Sequence, residues 1–240
     1  MLINLFLLVA HFLYPFSTVP NANTIVSKSI EYHDPNHNWE QLQIHLNFVE
    51  SRPNGTTRHT SVEIDNKRGN FCISRKVEEN EVSRHIINDS CYYAVNGITS
   101  LNENKIEQYK LKDERTFLLR NYYLYLWGLP MKLEDQGAII ENEAKLTKFN
   151  NMESYEVKVM YDENTGSDVW YFYFNIETYA LTGYKFYHAN GEGEFITLSD
   201  TVTVSGIKIP KNRSWYINKD SKFLGTDTLD SFTTALHEHN

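Results

Sequence analysis

The stretch 113–127, DERTFLLRNYYLYLW, leaves the chain few ways to fold. Phe117, Leu118, Leu119, Tyr122, Tyr123, Leu124, Tyr125, Leu126 and Trp127 cover most of the circumference of a helix there. A helix apolar nearly all round must be buried. Asp113 offers a cap, and Gly128-Leu129-Pro130 ends the helix. A shorter helix over 102–111 precedes it, and the two form a hairpin. Whatever surrounds them has to present a broad apolar face.

The flanking sequence supplies that face as strands. Within 39–50, Leu42, Ile44, Leu46 and Phe48 alternate with Gln41, Gln43, His45 and Asn47, a period of two with one side wet. Pro53-Asn54-Gly55 turns the chain. Strands follow at 58–65, with Thr60, Val62 and Ile64 inward, and at 71–77, 82–87 and 91–95. After the helices, strands are expected at 138–149, 153–162, 168–176, 180–189, 193–199, 201–204, 207–218 and 222–230. The segment 168–176 carries Val169, Tyr171 and Tyr173 on one side and Trp170, Phe172 and Phe174 on the other. Both sides need cover, which makes it a central strand. The polar tail from Ser231 is expected to fray. The fold class is therefore mostly β with α: a large, curved antiparallel sheet, a half-open barrel, wrapped over a buried helical hairpin.

The amino terminus reads differently. Leu2 to Phe16 is almost wholly apolar but shorter than the roughly 20 residues of a membrane span. With Pro15 and Pro20 at its end, the segment 1–22 reads as a secretory signal cleaved after Ala22, the alternative being an uncleaved membrane anchor. One domain is expected over 23–240, opening on a helix at 24–33 capped by Thr24 and stopped by Pro35. Export implies a periplasmic or extracellular protein. The only cysteines are Cys72 and Cys91, so no thiol follows the apolar run, and a lipid-anchored amino terminus is not expected. In a meander of 71–77, 82–87 and 91–95 a third strand separates the two cysteines, at about 9.6 Å, beyond disulfide reach. Their pairing positions also face opposite sides, so both thiols are expected free.

The search for chemistry is mostly exclusion. The formal charge of −8 argues against nucleic acid as a partner. No nucleophile elbow, phosphate loop, zinc-helix motif or dinucleotide fingerprint is present, and no cofactor or metal is expected. His33, Asp34 and His37 form the best polar cluster, but no spacing places a third ligand. Asp34 before Pro35 is a turn starter, so His33 and Asp34 are expected to close the first helix rather than catalyse. The chain is unusually aromatic, with 16 Tyr, 13 Phe and 4 Trp. Tyr122, Tyr171, Tyr173, Tyr184 and Phe186, with His188 at the rim, could line an apolar cavity with a few hydroxyls. A lipid or other apolar small molecule is the expected partner. The alternatives are a cell-envelope interaction module with a filled core, or a hydrolase using His33 and Asp34.

Several segments carry a wider resemblance. They are Tyr32-His33-Asp34-Pro35, Asn121-Tyr122-Tyr123 with Leu129-Pro130-Met131-Lys132, Trp170-Tyr171-Phe172-Tyr173-Phe174, Gly206-Ile207-Lys208-Ile209-Pro210-Lys211 and Leu224-Gly225-Thr226-Asp227-Thr228-Leu229. Together, over about 24–230, they resemble an uncharacterised family of secreted bacterial proteins that is known only as a domain of unknown function. That family is similar in strand order to periplasmic lipoprotein-localisation carriers. The resemblance implies a half-open antiparallel barrel over helices, with an apolar cavity for acyl chains. It implies no catalytic residues.

Overall fold

Alternation sets the sheet. In the computed structural model, which describes residues 19–162 and 166–234, strand β1 (Gln43–Ser51) buries Ile44, Leu46, Phe48 and Glu50 and leaves the residues between them half-exposed. Its neighbour β2 (Thr57–Asp65) buries Thr60, Val62 and Ile64. Strands β3 (Asn70–Val77), β4 (Asn80–Ile87) and β5 (Ser90–Val95) complete an antiparallel meander. Helices α2 (Glu103–Gln108) and α3 (Asp113–Gly128) follow. A second run then forms from β6 (Ala138–Ile140), β7 (Lys145–Phe149), β8 (Met152–Tyr161), β9 (Val169–Asn175), β10 (Leu181–Tyr187), β11 (Gly193–Val204), β12 (Ile207–Ile217) and β13 (Phe223–Thr234).

One antiparallel sheet of 13 strands results, in the order β5-β4-β3-β2-β1-β13-β12-β11-β10-β9-β8-β6, with β7 paired to β8 outside that path. The sheet is open. Its two halves meet where the first strand pairs with the last, through contacts such as Leu46 with Phe232 and Glu50 with Asp227. The polar end of the chain is therefore not frayed from Ser231. Thr233 and Thr234 pair with His45 and Ile44, because β1 needs partners for its backbone groups along its whole length. The expected strand at 138–149 is two, β6 and β7, both paired to β8. The expected break near Ser199 closes into one long β11, which keeps its register with β12 through Asp200 at a φ of 53°.

Helix α3 crosses the concave face and touches both halves. Phe48 of β1 packs on Tyr123 at 5.7 Å and on Trp127 at 5.6 Å. Tyr125 meets Trp170 of β9 at 5.3 Å, and the Arg213 guanidinium of β12 lies 3.8 Å over the Trp127 ring. The hairpin is buried through α3 and through Tyr109 and Leu111 in the connection; α2 itself buries nothing. Nor is α3 buried all round. Tyr123, Leu126 and Trp127 are buried and Leu119 half-buried, whereas Leu118 is 62% and Tyr122 45% exposed. The sheet wraps only part of the helix, and the remaining apolar side faces an unfilled space. Asp113 is the first helical residue rather than the cap, where its charge favours the helix N-terminus.

Helix α1 (Ala22–His33) closes one end of the concave face. Its cap is Asn21, whose side chain accepts from the Asn23 amide at 2.9 Å, in place of the expected Thr24. Ala22 is fully buried and its amide donates to the Asn142 carbonyl at 3.1 Å. The packed unit thus begins at Asn21, ahead of the cleavage point suggested by sequence. The apolar run 2–16 lies outside the described residues. Cys72 and Cys91 are unbonded. Cys72 pairs with His85 and Cys91 with Ile86, each one residue from the expected register, and the two consequently point to opposite sides of β4.

Candidate functional site

The inward register of the sheet changes character along its length. At the end covered by α1 it is apolar. At the other end, beyond the reach of α1, the same inward positions hold Glu50, Arg58, Arg75, Arg213 and Asp227. Glu50 is 4% exposed. Arg58 grips it with both Nε and Nη2, and the Thr60 hydroxyl donates to it at 2.6 Å. Arg75 and Arg52 each approach it to 3.9 Å. Arg75 also donates to the Thr60 hydroxyl at 3.1 Å and to the Tyr123 hydroxyl. Burial alone would raise the Glu50 carboxyl, but the bonds from Arg58 and Thr60 and the charge of Arg75 outweigh it and hold it below the usual range. A carboxylate so far withdrawn from water stays ionised only with this many partners.

Between this row and α3 lies a cleft of about 780 Å³, lined by Arg52, Arg115, Leu118, Leu119, Tyr122, Trp215, Leu224 and Asp227 together with the Glu50 network. The volume suits a small-molecule site. Gly225 shapes one wall. A side chain there would strike the Ser51 carbonyl at 2.3 Å and the Arg52 guanidinium at 2.7 Å, so only glycine lets Arg52 lie across β13. Trp215 donates to Asp227 Oδ2 at 3.1 Å, while the buried Asp227 Oδ1 has no hydrogen-bond partner. Burial pushes the Asp227 carboxyl up, helped by the charge of Glu50. Arg213, buried beneath, donates to the Leu126 carbonyl at 3.2 Å and to Pro210 at 3.4 Å, and its Nε is unpaired.

The structure separates the sequence-expected site residues. Tyr122 lines the cleft from α3. Tyr184 lies on the concave side, 1% exposed, with its hydroxyl unpartnered. Phe186 is on the same side, against Trp170 at 4.6 Å. His188 stands at the rim, 5.3 Å from Phe186, with Nδ1 2.9 Å from Asp168. Tyr171 and Tyr173 are on the opposite, convex side. Tyr173 stacks on Phe149 at 4.0 Å and donates to Glu156 at 2.9 Å. Tyr171 packs edge-on against Tyr187 at 6.2 Å, with the Lys185 ammonium 5.4 Å from its ring. These two tyrosines cannot share a cavity with Tyr184. Both faces of β9 are covered, as expected, but one cover is the off-path strand β7, which brings Phe149.

His33 and Asp34 sit at the closed end, away from the cleft. The Leu181 amide donates to His33 Nε2 at 3.0 Å, so Nδ1 carries the proton and donates to the Lys208 carbonyl at 2.6 Å. Burial lowers its pKa to about 4. The two Asp34 oxygens accept from the amides of Asn38 and Trp39, each at 2.8 Å. With both nitrogens and both oxygens bound to backbone, the pair closes α1. Among the described residues no group of three or more His, Cys, Asp or Glu is placed to hold a metal. His237 and His239 lie outside the described residues.

Sequence reasoning missed Glu50, Arg58, Arg75, Arg213 and Asp227. The signal was legible for three of them: Glu50, Arg58 and Arg75 are charged residues in the inward phase of an alternating strand, directly continuing Ile44-Leu46-Phe48, Ile64-Val62-Thr60 and Phe71-Ile73. Such a residue needs buried partners.

The fold is an open antiparallel half-barrel with a helix across its concave face and a mixed apolar and charged cleft. It is similar to a LolA superfamily protein of Nitrosomonas europaea, at 9% identity and a TM-score of 0.53, covering 90% of this chain and 94% of that one. It is also similar to a putative outer membrane lipoprotein-sorting protein domain of Vibrio parahaemolyticus, at 8% identity and a TM-score of 0.52, with the same shares covered, 90% and 94%. At these identities the likeness shows the fold alone. No curated protein matches the chain in sequence. The chain belongs to a family of unknown function, DUF6503, whose model matches residues 3–230.

Proposed function

We propose that this protein is an exported, non-enzymatic carrier that holds a lipid or other apolar ligand in the cleft between α3 and the concave sheet. The observation that carries this reading is the second apolar side of α3. Leu118 and Tyr122, 62% and 45% exposed, face a cleft of about 780 Å³ instead of packed protein. A folding chain gains nothing from leaving such side chains open; a ligand covers them. The cleft also weighs against an interaction module with a filled core. The lipoprotein-sorting name borne by one structural neighbour agrees with a lipid-like cargo. The apolar run 2–16 supports export, and among the described residues no helix is long and apolar enough to cross a membrane.

Displacement of a fluorescent fatty acid tests the reading. Saturable binding at micromolar concentration is expected, weakened by Tyr122→Asp without loss of fold. Failure of every acyl probe to bind would remove the carrier reading.

A further inference from the structure

The charges of the cleft restrict what it can carry. Of the chain's eight arginines, four (Arg52, Arg58, Arg75 and Arg115) line this one space, and no lysine does. They face three carboxylates, those of Glu50, Glu194 and Asp227, in a protein whose formal charge is −8. The partners are unevenly spent. Arg58 is committed to Glu50, and Arg75 is held by Thr60 and Tyr123. Arg52 comes no closer than 3.9 Å to Glu50. Arg115 has no carboxylate partner among the described residues. Burial pushes the carboxyls of Glu194 and Asp227 up.

Arginine in place of lysine matters because its planar fork matches carboxylate and phosphate oxygens two at a time. Glu50 already shows that geometry: a carboxylate accepting a bidentate Arg58 and a hydroxyl. The apolar part of the lining, Leu118, Leu119, Tyr122, Trp215 and Leu224, lies beside the guanidiniums. Two further polar atoms lie buried and unpaired in this region, Tyr184 Oη and Asp227 Oδ1. The cleft is thus amphiphilic, with a cationic rim against an apolar wall.

We propose that the cargo is a single-chain anionic amphiphile, its carboxylate or phosphate head held by the arginine rim, on which Arg52 and Arg115 are free to close, and its chain laid along Leu118, Tyr122 and Trp215. This rests on the carrier reading and narrows it to one ligand class. The volume is that of one small ligand.

The test is displacement of a fluorescent acyl probe from the full chain by palmitate, hexadecyl phosphate and hexadecanol. Both anions are expected to displace at concentrations about tenfold below the alcohol, the scale of a charge-assisted hydrogen bond. That advantage should shrink in Arg52→Gln/Arg115→Gln and at high salt, with hexadecanol unaffected. Binding of palmitate alone supports a free fatty acid as the source of the anion, and binding of the phosphate alone supports a phospholipid-type head. Equal displacement by hexadecanol overturns the anionic inference and leaves the carrier standing. No displacement by any of the three overturns the carrier reading, and this inference with it.

Discussion

The two ends of the concave face are built on the same strands and behave oppositely. Along β1 the inward positions run Ile44, Leu46, Phe48 and then Glu50. On β12 they run from the buried Ile207 and Ile209 to Arg213 and Trp215. At the first end α1 covers the sheet and the polar groups of the His33 and Asp34 side chains are bound to backbone, with the buried Ser29 Oγ of α1 left without a partner. At the second end α1 is absent, charged residues occupy the inward register, and three buried polar atoms, on Tyr184, Arg213 and Asp227, lack partners. The register sets which side a residue faces, and the presence or absence of a covering helix decides what that side can be used for. A filled end stabilises the sheet, which lets the other end bear unsatisfied groups and an open cleft.

Substitutions on the two sides of α3 test this contrast most strongly. Leu126 is 6% exposed on the sheet side and Leu118 is 62% exposed on the cleft side. Leu126→Asp puts a charge into the core and is expected to cost about 3 kcal/mol or more. Leu118→Asp is expected to cost less than about 0.5 kcal/mol, as exposed substitutions do. Urea unfolding of both variants checks it. Similar losses for the two would mean that the cleft is closed in solution.

The closed end should show itself in acid. The His33 pKa is lowered from 6.5 to about 4 by burial, and the ring is 3% exposed. Between those values the unfolded chain binds a proton that the folded chain refuses. Stability is therefore full above about pH 6.5 and falls as pH drops towards about 4, by about 3 kcal/mol from this group. Unfolding free energies across that interval should lose this slope in His33→Gln. A parent protein with flat stability from neutral pH to about 4 would contradict the bonding described for the ring.

Glu50→Gln probes the open end. The substitution keeps the shape but leaves Arg58, Arg75 and Arg52 without their shared anion. Removing one partner of a fully buried pair costs about 3–5 kcal/mol. Arg58 is 46% exposed at its side chain, so solvent screens part of the loss and about 2 kcal/mol is expected. Added anion should recover stability in this variant more than in the parent, because it supplies a counter-charge to the arginines that have lost theirs.

Much of this was legible from residues. Period-two alternation located nearly every strand, and the apolar residues that cover most of 117–127 called for a helix over a sheet. What alternation could not show was which strands would be neighbours. The pairing of β1 with β13 joins Ile44 to Thr234 and Ser51 to Thr226 across most of the chain, and it converts a polar tail into strand and brings Asp227 beside Glu50. Aromatic density misled for a related reason. Tyr171 and Tyr173 differ from Tyr184 only in which side of the sheet they face, and sequence periodicity within one strand carries no information about which side is concave. The place of His33 at a helix end before Pro35 was a local fact, and the ring does stand at the end of α1 with both nitrogens on backbone groups; local facts survive folding.

The smallest expected effect is the most selective. Tyr184 is 1% exposed, its hydroxyl has no partner, and burial near Asp227 and Glu194 pushes its pKa up despite the opposing charge of Arg213. An unpaired buried hydroxyl has lost its water and gained nothing, at a cost of about 1–3 kcal/mol. Tyr184→Phe removes that cost while keeping the ring against Trp170 and Phe172 at 6.0 and 5.9 Å. The variant should therefore be as stable as the parent or more stable by up to about 1 kcal/mol. Nearly every other deletion from a core destabilises, so the sign alone is informative. If the hydroxyl instead serves a bound ligand, the same variant should bind an acyl probe more weakly while melting no lower. A stabilised variant with weakened binding places Tyr184 in the open end's function, and a destabilised one would show that its hydroxyl is already satisfied by the protein.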